Sequence, residues 1–461
     1  MFPYISRDKT FYKTALALSG PLVLQNLINN SMSMLDTFMV GSLGEVPLAG
    51  VTLANTVFFI AMLVNFGLQS GSMILISQYW GKGDAASVNR IIGIGAALSG
   101  SVSLVFTIGL TFFSEQIYSL TTTDPELARV ASEYARVAAA SILFNGLTLI
   151  YISAQRSMGN TMVGMVILSS GMAVSTFMNW LLIYGNWGFP KMGVAGAALA
   201  TLISRALELA VTAVYAMRNT AFRLDFKYLL RPGITVFKDF ITYSMPVLIN
   251  ETAWSVGFSL YSVIFGHMRN AAAGIAAYTI TQTVERLLAA IYFGVGGAAA
   301  VLVGRPLGAG DAEKARTAGV TMLFSSVALG AVSGGLLLLL TLTFIVPVIF
   351  PIFGASGETL RAGRIMLIIA AANMPFKAFN FCNIVGVLRG GGDARAAMLL
   401  DIGVMYLFSL PLTALTGLAF HAPFVFVYLT ISLEEFVKLF LGYRRFSKRK
   451  WLQNITREIP A

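Results

Sequence analysis

Apolar runs of about twenty residues or more follow one another along nearly the whole chain, parted by short polar joints. Each is long enough to cross a bilayer as a helix, because about 20 residues at 1.5 Å rise cover the hydrocarbon core. The pattern predicts twelve spans. In the first half they run at about 14–40, 48–77, 91–113, 130–153, 161–184 and 192–217. In the second they run at about 240–266, 273–303, 316–350, 362–388, 396–418 and 422–443. No stretch long enough for a soluble domain is left over, so the fold class is all-α integral membrane.

The two halves say nearly the same thing. Pro21 opens a stretch that closes on Gly81-Lys82-Gly83-Asp84, and Pro246 opens one that closes on Gly308-Ala309-Gly310-Asp311. A later echo pairs Arg156-Ser157-Met158-Gly159-Asn160 with Arg389-Gly390-Gly391-Gly392-Asp393. Duplication of this kind marks transporters built from repeats, with the site between them. The expected division is a lobe over 1–217, a polar linker over 218–239 and a second lobe over 240–461 that ends in a basic tail.

Composition agrees. Of 461 residues 56% are hydrophobic and 11% charged, against about a quarter charged in soluble domains. The net charge of +11 comes from loops on one side, including the linker and the tail Arg444-Arg445…Lys448-Arg449-Lys450. The other side holds little beyond Arg129, Lys191, Arg269 and Arg361. The positive-inside rule then places both termini in the cytoplasm of a cell-membrane protein and removes any need for a nucleic-acid partner. The first apolar run is too long for a cleaved signal, so no removable leader is expected. A single cysteine, Cys382, and two histidines, His267 and His421, leave no ligand set for a zinc centre and no nucleophile–base arrangement for an enzyme.

An acid at membrane depth is costly unless it faces a partner or a wet cavity, which makes each one a functional candidate. Asp36 closes a polar stripe of Gln25, Asn29 and Ser33 on the first span. It is a candidate cation or proton site, the alternative being a structural hydrogen bond. Asn179 in the fifth span can bond a carboxylate in either protonation state. Glu251, in the seventh span, shares a face with Trp254, Ser255 and Phe258. Asp401, in the eleventh, shares one with Met405 and Phe408. Acids among aromatic rings and thioethers suit bulky organic cations, although for each aromatic or methionine taken singly ordinary core packing is the better account. Lys377 in the tenth span is expected to pair with Glu251 or Asp401, or to be structural. Arg205 and Glu208 form an i, i+3 pair, and Glu434-Glu435 point into the bundle without an assigned role. Pro21 and Pro246 each remove a helix hydrogen bond and are candidate hinges. The glycine-rich turns lack phosphate-loop spacing, and Gly67-x-x-x-Gly71 reads as close helix packing.

The chain also resembles the multidrug and toxic compound extrusion (MATE) family over essentially its full length. The matching stretches are Pro21…Asp36-Thr37…Val40-Gly41, Gln78-Tyr79-Trp80-Gly81-Lys82-Gly83-Asp84, Asn179 to Gly185, Gly193 to Thr201, and Val387 to Asp393. The resemblance implies two six-helix lobes related by a pseudo-twofold axis and H⁺- or Na⁺-driven export of organic, often cationic, compounds. It implies Asp36 and Asn179 as the first-lobe cation site, with Glu251 as the seventh-helix glutamate. Ile183 and Ala378 stand where some members carry further acids, and Asp401 is the candidate substitute. Taken together, the expected coupling residues are Asp36, Asn179, Glu251 and Asp401, with Na⁺ as a candidate ligand at Asp36 or Glu251 and no other metal or cofactor. The expected cavity residues are Gln25, Asn29, Trp254, Phe258, Lys377 and Met405. The expected partners are small organic substrates and the bilayer, with the chain acting as a monomer. A lipid-linked oligosaccharide flippase of the same superfamily is the alternative, disfavoured because interior acids outnumber bases.

Overall fold

The computed structural model describes residues 4–268, 271–350 and 357–458. Arg269 lies outside them. The first half comprises α1 (Lys9–Gly41), α2 (Glu45–Lys82), α3 (Ala85–Phe112), the short α4 (Ser114–Ser119), α5 (Pro125–Ala138), α6 (Ala140–Ser157), α7 (Thr161–Tyr184) and α8 (Gly193–Arg218). One turn and a bit of helix, α9 (Phe226–Leu230), lies in the linker before α10 (Ile234–Gly266). The second half continues with α11 (Ala272–Gly308), α12 (Ala312–Val348), α13 (Gly357–Leu388), α14 (Ala394–Ala419) and α15 (Phe424–Ser447).

Each expected span falls on helix, and the linker is shorter than expected because α10 starts at Ile234. Among the described residues eight helices are long and apolar enough to cross a membrane, or up to nine if α5 and α6, bent by 49°, form one span. The long helices α1, α10 and α15 fall outside that set. Those three also carry Gln25 and Asp36, Asn250 and Glu251, and Glu434 and Lys438.

The repeated glycine turns have one geometry. Gly83, Gly159, Gly310 and Gly392 all have φ between +80° and +87°, a left-handed conformation that costs glycine nothing. The residue after each donates its backbone N–H five positions back: Asp84 to Tyr79, Asn160 to Gln155, Asp311 to Pro306 and Asp393 to Leu388, at 2.8–3.0 Å. This is a Schellman close. Asp84 and Asp311 then cap the next helix by accepting from the Ser87 and Lys314 N–H groups at 2.9 and 2.8 Å. The motif is chain-reversal chemistry.

By internal contacts the chain forms two compact units, one of residues 1–23 and 249–456, the other of 24–248 and 457–461. They differ from the linear halves at both ends. The division falls two residues after Pro21 in α1 and two after Pro246 in α10. Within the 24–248 unit, a Cβ on Gly67 would lie 2.8 Å from Leu248 Cα, and one on Gly71 would overlap Ser244. The Gly-x-x-x-Gly spacing therefore lets α2 lie directly on α10. The 249–456 unit contains four π-helical stretches, Thr341–Ile349, Cys382–Leu388, Met405–Ser409 and Leu415–Ala419. Two of them flank the candidate site, where π-turns are often found.

Candidate functional site

In the 24–248 unit the stripe on α1 meets α7. Asn179 Nδ2 donates to Asp36 Oδ1 at 2.8 Å, across 143 positions of sequence. Asn179 is 3% exposed, and its Oδ1 is buried with no partner among the described residues. Gln25, about three turns away on the same helix, is likewise buried, and its Oε1 has no partner among the described residues. Asn29 is half-buried. Tyr134 and Arg205 lie within electrostatic reach of Asp36. Arg205 is itself held by Glu208, its Nη1 donating to both carboxylate oxygens at 2.9 and 2.8 Å. Ile183 is fully buried apolar packing. The carboxylate and the orphaned amide carbonyl make an oxygen-only set, which suits a proton or a hard cation.

The 249–456 unit holds a longer network. Arg389 Nη2 donates to Glu251 Oε1 at 2.8 Å. Asn250 Nδ2 donates to Asp401 Oδ2 at 3.0 Å and lies 3.4 Å from Glu251 Oε1. Lys438 Nζ is 2.6 Å from both Asp401 Oδ1 and Glu434 Oε1. Tyr261 donates to Glu434 Oε2 at 3.0 Å. Asn250 repeats the feature seen at Asn179: its Nδ2 serves a carboxylate while its buried Oδ1 has no partner among the described residues. Beside this network Lys377 Nζ bonds both oxygens of Glu285 at 2.9 and 3.0 Å, and Asn380 Nδ2 donates to Glu435 Oε2 at 2.7 Å.

Several expectations change here. Lys377 pairs with Glu285 rather than with Glu251 or Asp401, because α13 presents it to α11. Arg389, the first residue of the repeated glycine-rich turn, is 2% exposed and neutralises Glu251. It directly follows the π-helical stretch Cys382–Leu388. Met405 is 2% exposed and packs in an apolar cluster with Tyr261 and Val427. It is core, not cavity lining. Trp254 is exposed and stacks on Phe258 at 5.6 Å. Lys438, Asn250 and Tyr261 were not expected at all. The i, i+4 spacing of Glu434 and Lys438 was the available signal for one of them.

Long apolar helices with carboxylates and amides buried among them define a polytopic membrane transporter. The particular family follows from comparison. The MatE family's sequence model matches residues 21–181 and 246–415, so the chain belongs to that family, and each match opens on one of the paired prolines. The probable multidrug resistance protein NorM of Thermotoga maritima is 24% identical over 408 residues, covering 87% of this chain and 84% of its own. The multidrug resistance protein NorM of Burkholderia vietnamiensis is 28% identical over 388 residues, covering 83% and 82%. In fold the chain is similar to a MATE protein in complex with MaL6, with TM-score 0.85, 20% identity and coverage of 95% and 97%. It is also similar to the eukaryotic MATE transporter AtDTX14, with TM-score 0.82, 19% identity and coverage of 96% and 97%. The protein is a multi-pass membrane protein of the MATE type, related to multidrug efflux proteins.

Proposed function

We propose that the protein is a secondary antiporter that exports organic, amphiphilic cations in exchange for H⁺ or Na⁺ across the cell membrane, as a monomer with both termini cytoplasmic. The observation that carries the reading is the Asp36–Asn179 pair with its orphaned, buried Asn179 Oδ1. An amide can donate to an ionised carboxylate, or accept from a protonated one, without moving its neighbours. Asp36 can therefore gain a proton or hold Na⁺ inside intact surroundings and change its attraction for a cationic substrate when it does. Coupling would then alternate: cation loading at the carboxylates favours drug release, and drug binding favours cation release. Glu251, with the exposed Trp254 ring one turn on, gives a second acid beside an aromatic face for an organic cation. Twelve spans in two pseudo-twofold lobes, with bends at Pro21 and Pro246, complete this reading. The unit division just after each proline supports a hinge there.

An oligosaccharide-lipid flippase would favour a cationic interior to hold pyrophosphate. In the 249–456 unit the acids Glu251, Glu285, Asp401, Glu434 and Glu435 outnumber Lys377, Arg389 and Lys438. The decisive experiment is dye movement in proteoliposomes under a pH gradient or a Na⁺ gradient, each imposed alone. Export driven by one gradient and abolished by its collapse is expected. Dye movement indifferent to both would refute antiport.

A further inference from the structure

The segment between α8 and α10 is clamped on one face and bare on the other. Asn89 of α3 donates to Arg223 O at 3.4 Å and accepts from Asp225 N–H at 3.0 Å. Asp225 caps α9 by accepting from Lys227 N–H at 2.9 Å. A Cβ on Gly93 of α3 would overlap the Leu229 carbonyl, so α9 rests on the bare backbone of α3. Phe222 is buried and meets the Trp80 ring edge-on at 5.9 Å. The Arg90 guanidinium lies 5.2 Å from the Tyr228 ring. These contacts settle which way the segment faces.

On the outer side Phe226, Leu230 and Ile234 are 66%, 73% and 67% exposed. They recur every four residues. Arg223, Lys227 and Arg231 recur at the same interval beside them and are also exposed. None of these three cations is in an ion pair among the described residues. The segment leaves α8 directly after Arg218, the last residue of a membrane-length helix, so it emerges at the bilayer surface. Large apolar side chains interleaved with cations at that depth are the pattern of an interfacial, acidic-lipid-binding element. A cavity of about 490 Å³, lined in part by Trp80, Asn89, Arg223 and Tyr228, lies alongside and offers room for a headgroup.

We propose that residues 219–238 dock on anionic phospholipid headgroups. Phe226, Leu230 and Ile234 enter the interface, while the Arg223, Lys227 and Arg231 side chains meet phosphate, the guanidinium groups in bidentate fashion. The test uses Phe226→Trp, an aromatic exchange at an exposed site, in the full-length chain reconstituted with either brominated phosphatidylglycerol or brominated phosphatidylcholine. The added tryptophan signal, taken against the parent, should be quenched more by the anionic lipid, and the preference should fall with salt. Neutralising Arg223, Lys227 and Arg231 together, each to Gln, should reduce the preference by about fivefold per cation. Equal quenching by both lipids would overturn the proposal, as would quenching by neither or a preference unchanged in the neutralised variant. Leu230→Trp supplies the same reading if Phe226→Trp fails to fold.

Discussion

Lys438→Met removes one positive charge from between two carboxylates and leaves the aliphatic stem in place. Lys438 is 5% exposed, and its ammonium is 2.6 Å from Asp401 and from Glu434. Without it, buried Glu434 and half-buried Asp401 share a site in which Asn250 and Tyr261 donate one bond each. Breaking a buried pair from one side costs about 3–5 kcal/mol, because the surviving charge is left desolvated. At about 2–4 °C per kcal/mol for units of this size, melting of the purified protein should fall by on the order of 10 °C. Lys438→Met combined with Asp401→Asn removes one anion along with the cation, and should recover a substantial part of that loss. The assay is thermal unfolding followed by intrinsic fluorescence, with Asp401→Asn alone as the third corner of the cycle. If Lys438→Met melts with the parent, or if the double variant melts no higher than the single, Lys438 is not the counter-ion that holds this network together.

Asp36→Asn keeps a side chain able to bond Asn179, so the variant should fold and elute as a single species while gradient-driven efflux drops to background. Parental resistance in cells carrying it would remove Asp36 from the mechanism. At the glycine turns, Gly83→Ala and Gly310→Ala face open space but φ of +82° and +84°, so each should cost about 1–2 kcal/mol of backbone strain in unfolding measurements. Gly392→Ala, whose Cβ would also lie 2.8 Å from Ile455, should cost more than either; equal losses at all three would contradict the steric argument. The Arg129–Glu133 pair is 3.6 Å apart with side chains 67% and 47% exposed. Glu133→Gln should therefore change stability by less than about 0.5 kcal/mol, and a melting shift as large as that of Lys438→Met would be inconsistent with it.

Much of the architecture was legible in the chain because a membrane helix satisfies its backbone locally and its length is set by the bilayer. The apolar runs, the duplicated turns and the polar stripe ending at Asp36 are all properties of contiguous residues. The glycine–aspartate turns are too, since a left-handed glycine and the cap that follows it need no distant partner. Asp36 and Asn179 stand out in the chain as polar residues in apolar runs, and the family resemblance already puts them in one site; their hydrogen bond spans 143 positions.

What those polar residues meet was decided by packing. Periodicity tells which face of a helix is polar, not which helix lies against it. Glu251 finds Arg389 across 138 positions, Lys377 finds Glu285 across 92, and Asp401 finds Lys438 across 37. Met405 shares a face with Asp401 in sequence, yet the neighbouring cluster closes over it. The helices, the repeat and the list of costly interior charges can be read from the chain alone, because composition and local hydrogen bonding govern them. Which charges neutralise one another, and which are left beside an unpartnered oxygen, depends on distances between helices, and those are set by packing alone.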